Sequence, residues 1–521
     1  MRKLSAAGIK KLKLATAIAE EAAAVRNLVP REPGWDRLAD RADELSHYIG
    51  NRLKAGYTAA PAREVSARKP GHGIRPVPYL GVIERTVYRA LVAALLKSQP
   101  PLDRSPEAYL TFVGAPIRYA AEFKPNTGTQ PYQGLFNFLE SPIEYIVKSD
   151  ITSFYQFVDH AILAEELLVI GGDFELIELL LDLLEETQGR TYGLPQLFDA
   201  SDALSELYID RVERDLVRGG LAVWRFNDDF RIACVDYSAA LAAIERLDTA
   251  ARACGLVVSE HKTFTVGFVK YLIATLGQQV MEDGPTISPD EVEDILGDYS
   301  DEFGEDDADE AMSVIERAKA EDVGETDIDL RNVRQDDIRL IRRAINGLAQ
   351  ADDVRGLEDM FRLVVFVPSL TPTVMRYITT VAPVAEEGTL EPLLHGLSQH
   401  ASLNDWQRLW LVDTAGALGL LEGELPLAAE MRGWVQAVRS STRVDVLRAA
   451  ATWALAAAGL LDVSEILADA DDASSALLTI YARALLDARG RLSGDALAQA
   501  DVMLDAFGKS SIVHATLCSR T

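Results

Sequence analysis

The chain is expected to fold as an α+β domain followed by an all-α domain. Three observations predict this. Strand-like and helical runs alternate between about 140 and 275, around a tight Asn227-Asp228-Asp229 turn flanked by LAVWRF and FRIACV. Strand signals vanish after about Asp336, where Ile338, Ile341, Ile345 and Leu348 keep one helical face. Finally, Gly419-Leu-Leu-Glu recurs as Gly459-Leu-Leu-Asp after a spacing of 40 residues, each behind an Ala/Leu-rich helix. A period near 40 is that of HEAT-like helical solenoids, and Gly suits the left-handed end of a helix.

In chain order, residues 1–56 read as two polar, Ala-rich helices. Residues 57–280 form the α+β part. It opens with the basic, Gly/Pro-punctuated AREVSARKPGHG and IRPVPYL, where Pro76 and Pro78 forbid helix and favour an extended segment or hairpin. Ile83 to Leu96 is helical. EYIVKSD is a strand ending at Asp150, and DHAILAEELLVI is a helix. SAALAAIERLDTAARACG is a helix closed by Gly255, and LVVSEHKTFTVGF returns to strand. Gly171-Gly-Asp-Phe-Glu175 is a scrambled GGDEF string and reads as a helix-breaking turn. Residues 281–335 are an acidic connector: Glu282–Asp329 holds twenty carboxylates against Arg317 and Lys319, which argues for a solvated or flexible run. Residues 336–521 are the α-helical, HEAT-like domain.

At 521 residues the chain is too long for one core, and 48% hydrophobic with 25% charged residues is ordinary for a globular protein. The net charge of −28 is unlike a nucleic-acid binder, which needs a basic footprint. The acidic run distorts that sum, so its distribution matters more. Cys234, Cys254 and Cys518 lie far apart and form neither a zinc nor a disulfide pattern. The seven histidines, His72, His160 and His261 among them, lack metal-ligand spacing, and no GxxxxGK[ST] phosphate loop occurs. The N-terminal MRKLSAAGIKKLKLATAIAEEAAAV reads as an amphipathic helix rather than a signal peptide, and Ala449–Leu461 is too short to span a bilayer. A cytoplasmic protein with no membrane partner is expected.

Three segments carry the chemistry: Lys148-Ser-Asp-Ile-Thr-Ser-Phe-Tyr155, Gly193-Leu-Pro-Gln-Leu-Phe-Asp-Ala-Ser201 leading into a helix, and Phe226-Asn-Asp-Asp-Phe230 in the hairpin. An Asp at a strand end and one at a hairpin turn can converge without ordering long loops. Two-metal phosphoryl transfer requires such carboxylates on hard cations. Alone, an NDD turn is more often a plain β-turn; order and spacing together change that weighting.

In that order the segments resemble the motifs of reverse transcriptases. DITSFY resembles motif A, GLPQLFDAS motif B, FNDD the YxDD of motif C, and GLVVSEHKT motif D with its lysine. RKPGHGIRPVPYLGVIERTVYRAL resembles the fingers segment. The resemblance covers roughly residues 57 to 275. It implies a fingers–palm domain in which Asp150, Asp228 and Asp229 are catalytic and, with the Ile151 carbonyl, ligate two Mg2+ ions, or Mn2+ in their place. It also implies Tyr155 as a steric gate under the sugar and Gln196 along the incoming dNTP. Lys69 and Arg75 would lie on the triphosphate, and Lys262 would be a proton donor to pyrophosphate. Two departures stand out. Leu197 occupies the place where motif B usually has Gly, and Phe226 with Asn227 opens motif C.

A palm followed by a helical-repeat region resembles the bacterial abortive-infection and defence-associated reverse transcriptases. That resemblance implies anti-phage defence and homo-oligomers. It further implies DNA made without a template and primed from a protein hydroxyl, for which Tyr48, Tyr57 and Tyr481 are candidates by chemistry alone. Two alternatives are a templated enzyme copying a dedicated non-coding RNA and a non-catalytic, nucleic-acid-binding scaffold that kept the fold.

Overall fold

The computed structural model describes residues 2–70, 73–122, 141–280, 308–324, 326–386, 388–422, 426–509 and 511–519. His72 therefore lies outside the described residues. The chain divides into two compact units, one made of residues 1–90 with 301–521 and the other of residues 91–300. Among the described residues no helix is long and apolar enough to cross a membrane.

In the first unit the N-terminal region forms four helices where the sequence suggested two: Ala6–Lys11, Leu14–Ala23, Trp35–Asp40 and Ala42–Ala55. Pro30, Pro33 and Gly34, the last at φ 92°, break the run between the second and third. Next comes the expected hairpin, β1 (Arg63–Arg68) paired antiparallel with β2 (Ile74–Tyr79). Pro76 and Pro78 are tolerated because a two-stranded ribbon has only edges.

The C-terminal helices stack in two layers. Gln335–Gln350, Thr371–Val381, Asp405–Ala417, Asp445–Ala457 and Leu478–Gly490 each pack on the next of that series, and Leu357–Phe366, Leu390–Gln399 and Pro426–Ser441 make a second series. Alternate helices thus share a layer, as in stacked helix pairs that bury one continuous core. Ile338, Ile341, Ile345 and Leu348 are all buried. Gly419 (φ 67°) and Gly459 (φ 75°) end two of these helices identically. Leu420 N–H bonds to Ala415 O and Leu460 N–H to Leu455 O, while each Gly N–H bonds three residues back. This is the Schellman closure, which needs a left-handed residue. Gly419→Ala, where an added Cβ meets nothing, is therefore expected to cost about 1–2 kcal/mol from backbone strain alone. Denaturant unfolding checks this, and an unchanged midpoint would contradict it.

The acidic connector is not uniformly loose. Its part up to 307 lies outside the described residues, but Ala308–Arg317 is a helix that buries Ala311, Val314 and Ile315 and packs on Gln335–Gln350. After it, Ala318-Lys319 pairs in parallel with Ile328-Asp329. Three apolar residues at helical spacing outweigh the flanking charge.

The second unit holds a four-stranded antiparallel sheet in the order β4-β5-β3-β6. These strands are β3 (Tyr145–Asp150), β4 (Ala222–Phe226), β5 (Asp229–Cys234) and β6 (Phe264–Gly267). One face presents Ile146, Ala233, Ala222, Trp224 and Val266 to the helices Pro106–Glu122 and Phe268–Val280. The helices Asp199–Arg218 and Tyr237–Ala253 also pack on the sheet, the latter against β3 and β5. Gly255 (φ 68°) closes Tyr237–Ala253 as expected. Gly171-Gly172 closes His160–Val169 in the same way, and Asp173 caps the helix Phe174–Gln188, so the GGDFE string is a helix-to-helix turn. LVVSEHKTFTVGF is not one strand: Glu260–Lys262 is a 3-10 turn and only Phe264–Gly267 joins the sheet.

Candidate active site

The site is built at one tip of the sheet. β3 ends at Asp150, β5 begins at Asp229, and the two are register partners. Directly opposed residues project from the same face, so these two carboxylates do. Asp228 stands beside them in the two-residue turn closed by the Phe226–Asp229 pair. The turn needs a left-handed residue, and Asn227 (φ 54°) supplies it; Asn tolerates that conformation better than most side chains. Asp150 and Asp229 are each 8% exposed, and Asp228 is half-buried.

Opposed like charges repel, and the surroundings answer with cations. Lys262 Nζ lies 3.0 Å from Asp150 Oδ2. One register step back on the same face stand Lys148 and Arg231. Lys148 lies over the Phe264 ring at 5.4 Å and the buried Arg231 over the Phe112 ring at 4.9 Å. Ile151 forms a bridge with Val258 in which Thr152 N–H bonds to Val257 O and Ser259 N–H to Asp150 O. In such a pair the bridged residue's own carbonyl turns away from its partner, here toward the β5 side.

Among the described residues no three His, Cys, Asp or Glu side chains stand together as a ready metal cage. Mg2+ in polymerases does not use one: it takes one or two carboxylates, keeps waters, and completes its shell with substrate phosphates. The donors at this tip are all hard oxygens on a face where two carboxylates oppose each other, and they fit that ion.

The remaining predicted residues are distributed as follows. Tyr155 is half-buried just after β3, in the short helix Phe154–Phe157, and donates to Asp202 Oδ1 at 2.6 Å. Gln196 is half-buried in the loop before Asp199–Arg218, a loop tied to the Tyr155 segment by Gly193 N–H to Val158 O and Leu194 N–H to Tyr155 O, both 2.7 Å. Lys69 and Arg75 belong to the β1–β2 hairpin in the other unit. Lys69 is exposed at the turn, and Arg75 is half-buried opposite Ala67.

Leu197 has φ 64°, so the departure from the Gly of motif B falls on a residue held left-handed. Leu197→Gly relieves about 1–2 kcal/mol of strain against about 0.5–1 kcal/mol of added unfolded-state entropy. On these two effects the variant gains about 0 to 1.5 kcal/mol in chemical unfolding, less what the half-buried Leu197 side chain contributes by packing. Leu197→Ala, which keeps the strain but loses that packing, should be the less stable of the two, and the reverse order would refute the strain.

Sequence reading missed the residues that clamp this tip. Arg104 reaches Tyr155 Oη at 3.2 Å, Asn227 Oδ1 at 2.9 Å and Asp202 at 3.4 Å. Arg225 donates to Asn227 O at 2.9 Å, to Glu206 at 2.6 Å and to Glu213 at 3.0 Å. Burial raises the Tyr155 pKa, and the Asp202 charge raises it further. Burial alone would lower the Arg104 pKa, but Tyr155 and Asp202 outweigh it and hold it above the usual value. The acidic side chains at 202, 206 and 213 are a signal that was available; Arg104, in a proline-rich loop, gave none.

Residues 68–276 match the family described as reverse transcriptase (RNA-dependent DNA polymerase). The chain thus carries a reverse-transcriptase domain, and it is a nucleotidyltransferase of the RNA-directed DNA polymerase type. That span contains Asp150, Asp228 and Asp229. No curated protein matches the chain. Among solved structures, telomerase from Candida tropicalis in complex with a TWJ fragment of telomeric RNA is 13% identical. The match covers 71% of this chain and 67% of that one, with a TM-score of 0.30. The corresponding Candida albicans complex is 11% identical over 74% and 63%, with a TM-score of 0.30. Apo telomerase from Candida tropicalis is 11% identical over 78% and 73%, with a TM-score of 0.28. Scores at this level mark a distant likeness only.

Proposed function

We propose that the chain is a divalent-metal-dependent DNA polymerase that adds dNTPs at the Asp150, Asp228 and Asp229 tip and acts in cytoplasmic anti-phage defence. The observation that carries the polymerase reading is the opposed Asp150–Asp229 pair with Asp228 in the adjoining turn, all on the strand ends of one sheet. The three carboxylates and the Ile151 carbonyl would hold two Mg2+ ions, with Mn2+ able to replace them; bound there, the ions stabilise charge on the attacking and leaving oxygens. The chain's own groups do the rest. Lys69 and Arg75 bind the triphosphate through charge-assisted contacts, Gln196 lies along the nucleotide, and the Tyr155 ring excludes a 2′-hydroxyl. Lys262, paired with Asp150 at 3.0 Å, holds the proton that pyrophosphate needs. The helical region from 336 onward acts as a HEAT-like scaffold for strand, RNA or neighbouring subunits of a homo-oligomer.

Synthesis without a template, primed from a protein hydroxyl, is favoured over copying because the Leu197 side chain occupies a position that Gly keeps open in motif B. Of the candidate priming hydroxyls, Tyr481 is 2% exposed and Tyr57 donates to Glu84 at 2.6 Å, while Tyr48 has no hydrogen-bond partner among the described residues. Incubating the purified chain with labelled dNTPs and sequencing the product tests the reading. Homopolymer or random tracts attached to protein are expected, with EDTA abolishing them. A defined cDNA would establish templated copying of an RNA instead, and no incorporation with either metal would leave the scaffold.

A further inference from the structure

A continuous hydrogen-bonded relay runs from Tyr155 to the carboxylate of the hairpin turn, Asp228. Tyr155 Oη donates to Asp202, Arg104 bridges Asp202, Tyr155 Oη and Asn227 Oδ1, and Asn227 Nδ2 donates to Asp228 Oδ1 at 2.9 Å. Its logic is set by donor and acceptor type. A guanidinium can only donate, so it selects the oxygen of the Asn227 amide and turns the amide nitrogen toward Asp228. The opposite orientation would set NH2 against guanidinium and carbonyl against carboxylate. Asp202 in turn accepts from Tyr155 and forms an ion pair with Arg104 at 3.4 Å, which fixes the tyrosine hydroxyl and the arginine in one arrangement. The Asn227 backbone is held independently by Arg225, so the turn's position and the orientation of its side chain have separate causes.

From this we infer that Arg104 and Asn227 are positioning residues: Arg104 orients the Asn227 amide, which holds the Asp228 carboxylate ready for a cation, and the same guanidinium fixes the Tyr155 ring. The inference rests on the polymerase reading for what Asp228 and Tyr155 do. The relay gives one side chain control over two properties that are otherwise separate, metal affinity and sugar selectivity.

Two variants divide it. Asn227→Gly keeps the left-handed turn, because Gly adopts φ near 54° without strain, and removes only the amide. It loses the bonds to Arg104 and Asp228, so without metal it should stay folded and unfold at a lower temperature than wild type. Its half-saturation by Mn2+, read by electron paramagnetic resonance, should rise about ten-fold, the scale of a hydrogen bond to a charged group. Its preference for deoxyribonucleotides should not change. Arg104→Lys replaces a planar fork with a point donor that cannot serve Tyr155 and Asn227 together, so it should weaken Mn2+ binding and also admit ribonucleotides about ten-fold more readily. A folded Asn227→Gly protein with wild-type Mn2+ affinity would overturn the inference. So would an Arg104→Lys protein that keeps its sugar preference. Should the wild-type chain incorporate no nucleotide, the polymerase reading fails, and the Mn2+ titrations still decide the relay.

Discussion

Asp228→Asn is expected to lower dNTP incorporation by about a thousand-fold while the protein stays folded. Metal-borne charge stabilisation is worth several kcal/mol, and each 1.36 kcal/mol is about tenfold in rate. Asp150→Asn should do the same. Stability separates this account from a structural one. Asp150 and Asp229 face each other across the sheet, and opposed like charges cost about 0.2–1 kcal/mol. Relief of that repulsion offsets part of what neutralising Asp229 costs in its other contacts, so Asp229→Asn should stay folded as activity disappears. A structural carboxylate behaves differently, because removing one partner of a buried ion pair costs about 3–5 kcal/mol. Single-turnover incorporation and thermal unfolding on the same preparations check both. Activity within a few-fold of wild type in Asp228→Asn would end the two-metal reading.

The elements legible in the sequence are those whose signal is local. β3, the β4–β5 hairpin and the helix Tyr237–Ala253 each follow from a periodic run bounded by a turn residue, and Asp150, Asp228 and Asp229 fall at strand ends that such runs define. The helical character of the region after 335 was legible for the same reason, and Gly419 and Gly459 marked the ends of two helices there. What was not legible depends on contacts remote in sequence. Arg104 lies 123 residues from Asn227 and 51 from Tyr155, and nothing in a proline-rich loop foretells that pairing. The helix Ala308–Arg317 was hidden for another reason: its apolar stripe is only Ala311, Val314 and Ile315, and the surrounding carboxylates dominate any window average. The motif D segment was misjudged because its apolar residues alternate like a strand, while Ser259 and Thr152 spend their backbone N–H groups on an isolated bridge to β3's end rather than on a ladder. Leu197 is the intermediate case. Its departure from Gly was plain in the sequence, but that the backbone there is left-handed required the structure.

The second large effect concerns the sugar. Tyr155→Val is expected to raise ribonucleotide incorporation relative to deoxyribonucleotide by about a hundred-fold, roughly what a close-fitting apolar wall achieves against one extra hydroxyl. Tyr155→Phe keeps the ring but loses the hydroxyl through which Arg104 fixes it, so it should admit ribonucleotides about ten-fold more readily, as Arg104→Lys does, and the pair of variants separates ring from hydroxyl. The hydroxyl has its own energetic role, because it donates to Asp202 at 2.6 Å and accepts from Arg104 at 3.2 Å. Deleting it leaves a half-buried carboxylate and guanidinium short of one partner, which should cost Tyr155→Phe about 1–3 kcal/mol in unfolding free energy. The sign of the hydroxyl's ionisation supports a purely hydrogen-bonding role: burial and then the Asp202 charge both raise its pKa, so it stays protonated across the neutral range and remains a donor. Competition between each dNTP and its ribonucleotide at one primer end measures the discrimination directly. If Tyr155→Val keeps the wild-type ratio, the ring is not the wall beneath the sugar. The 2′-position would then have to be read by another side chain.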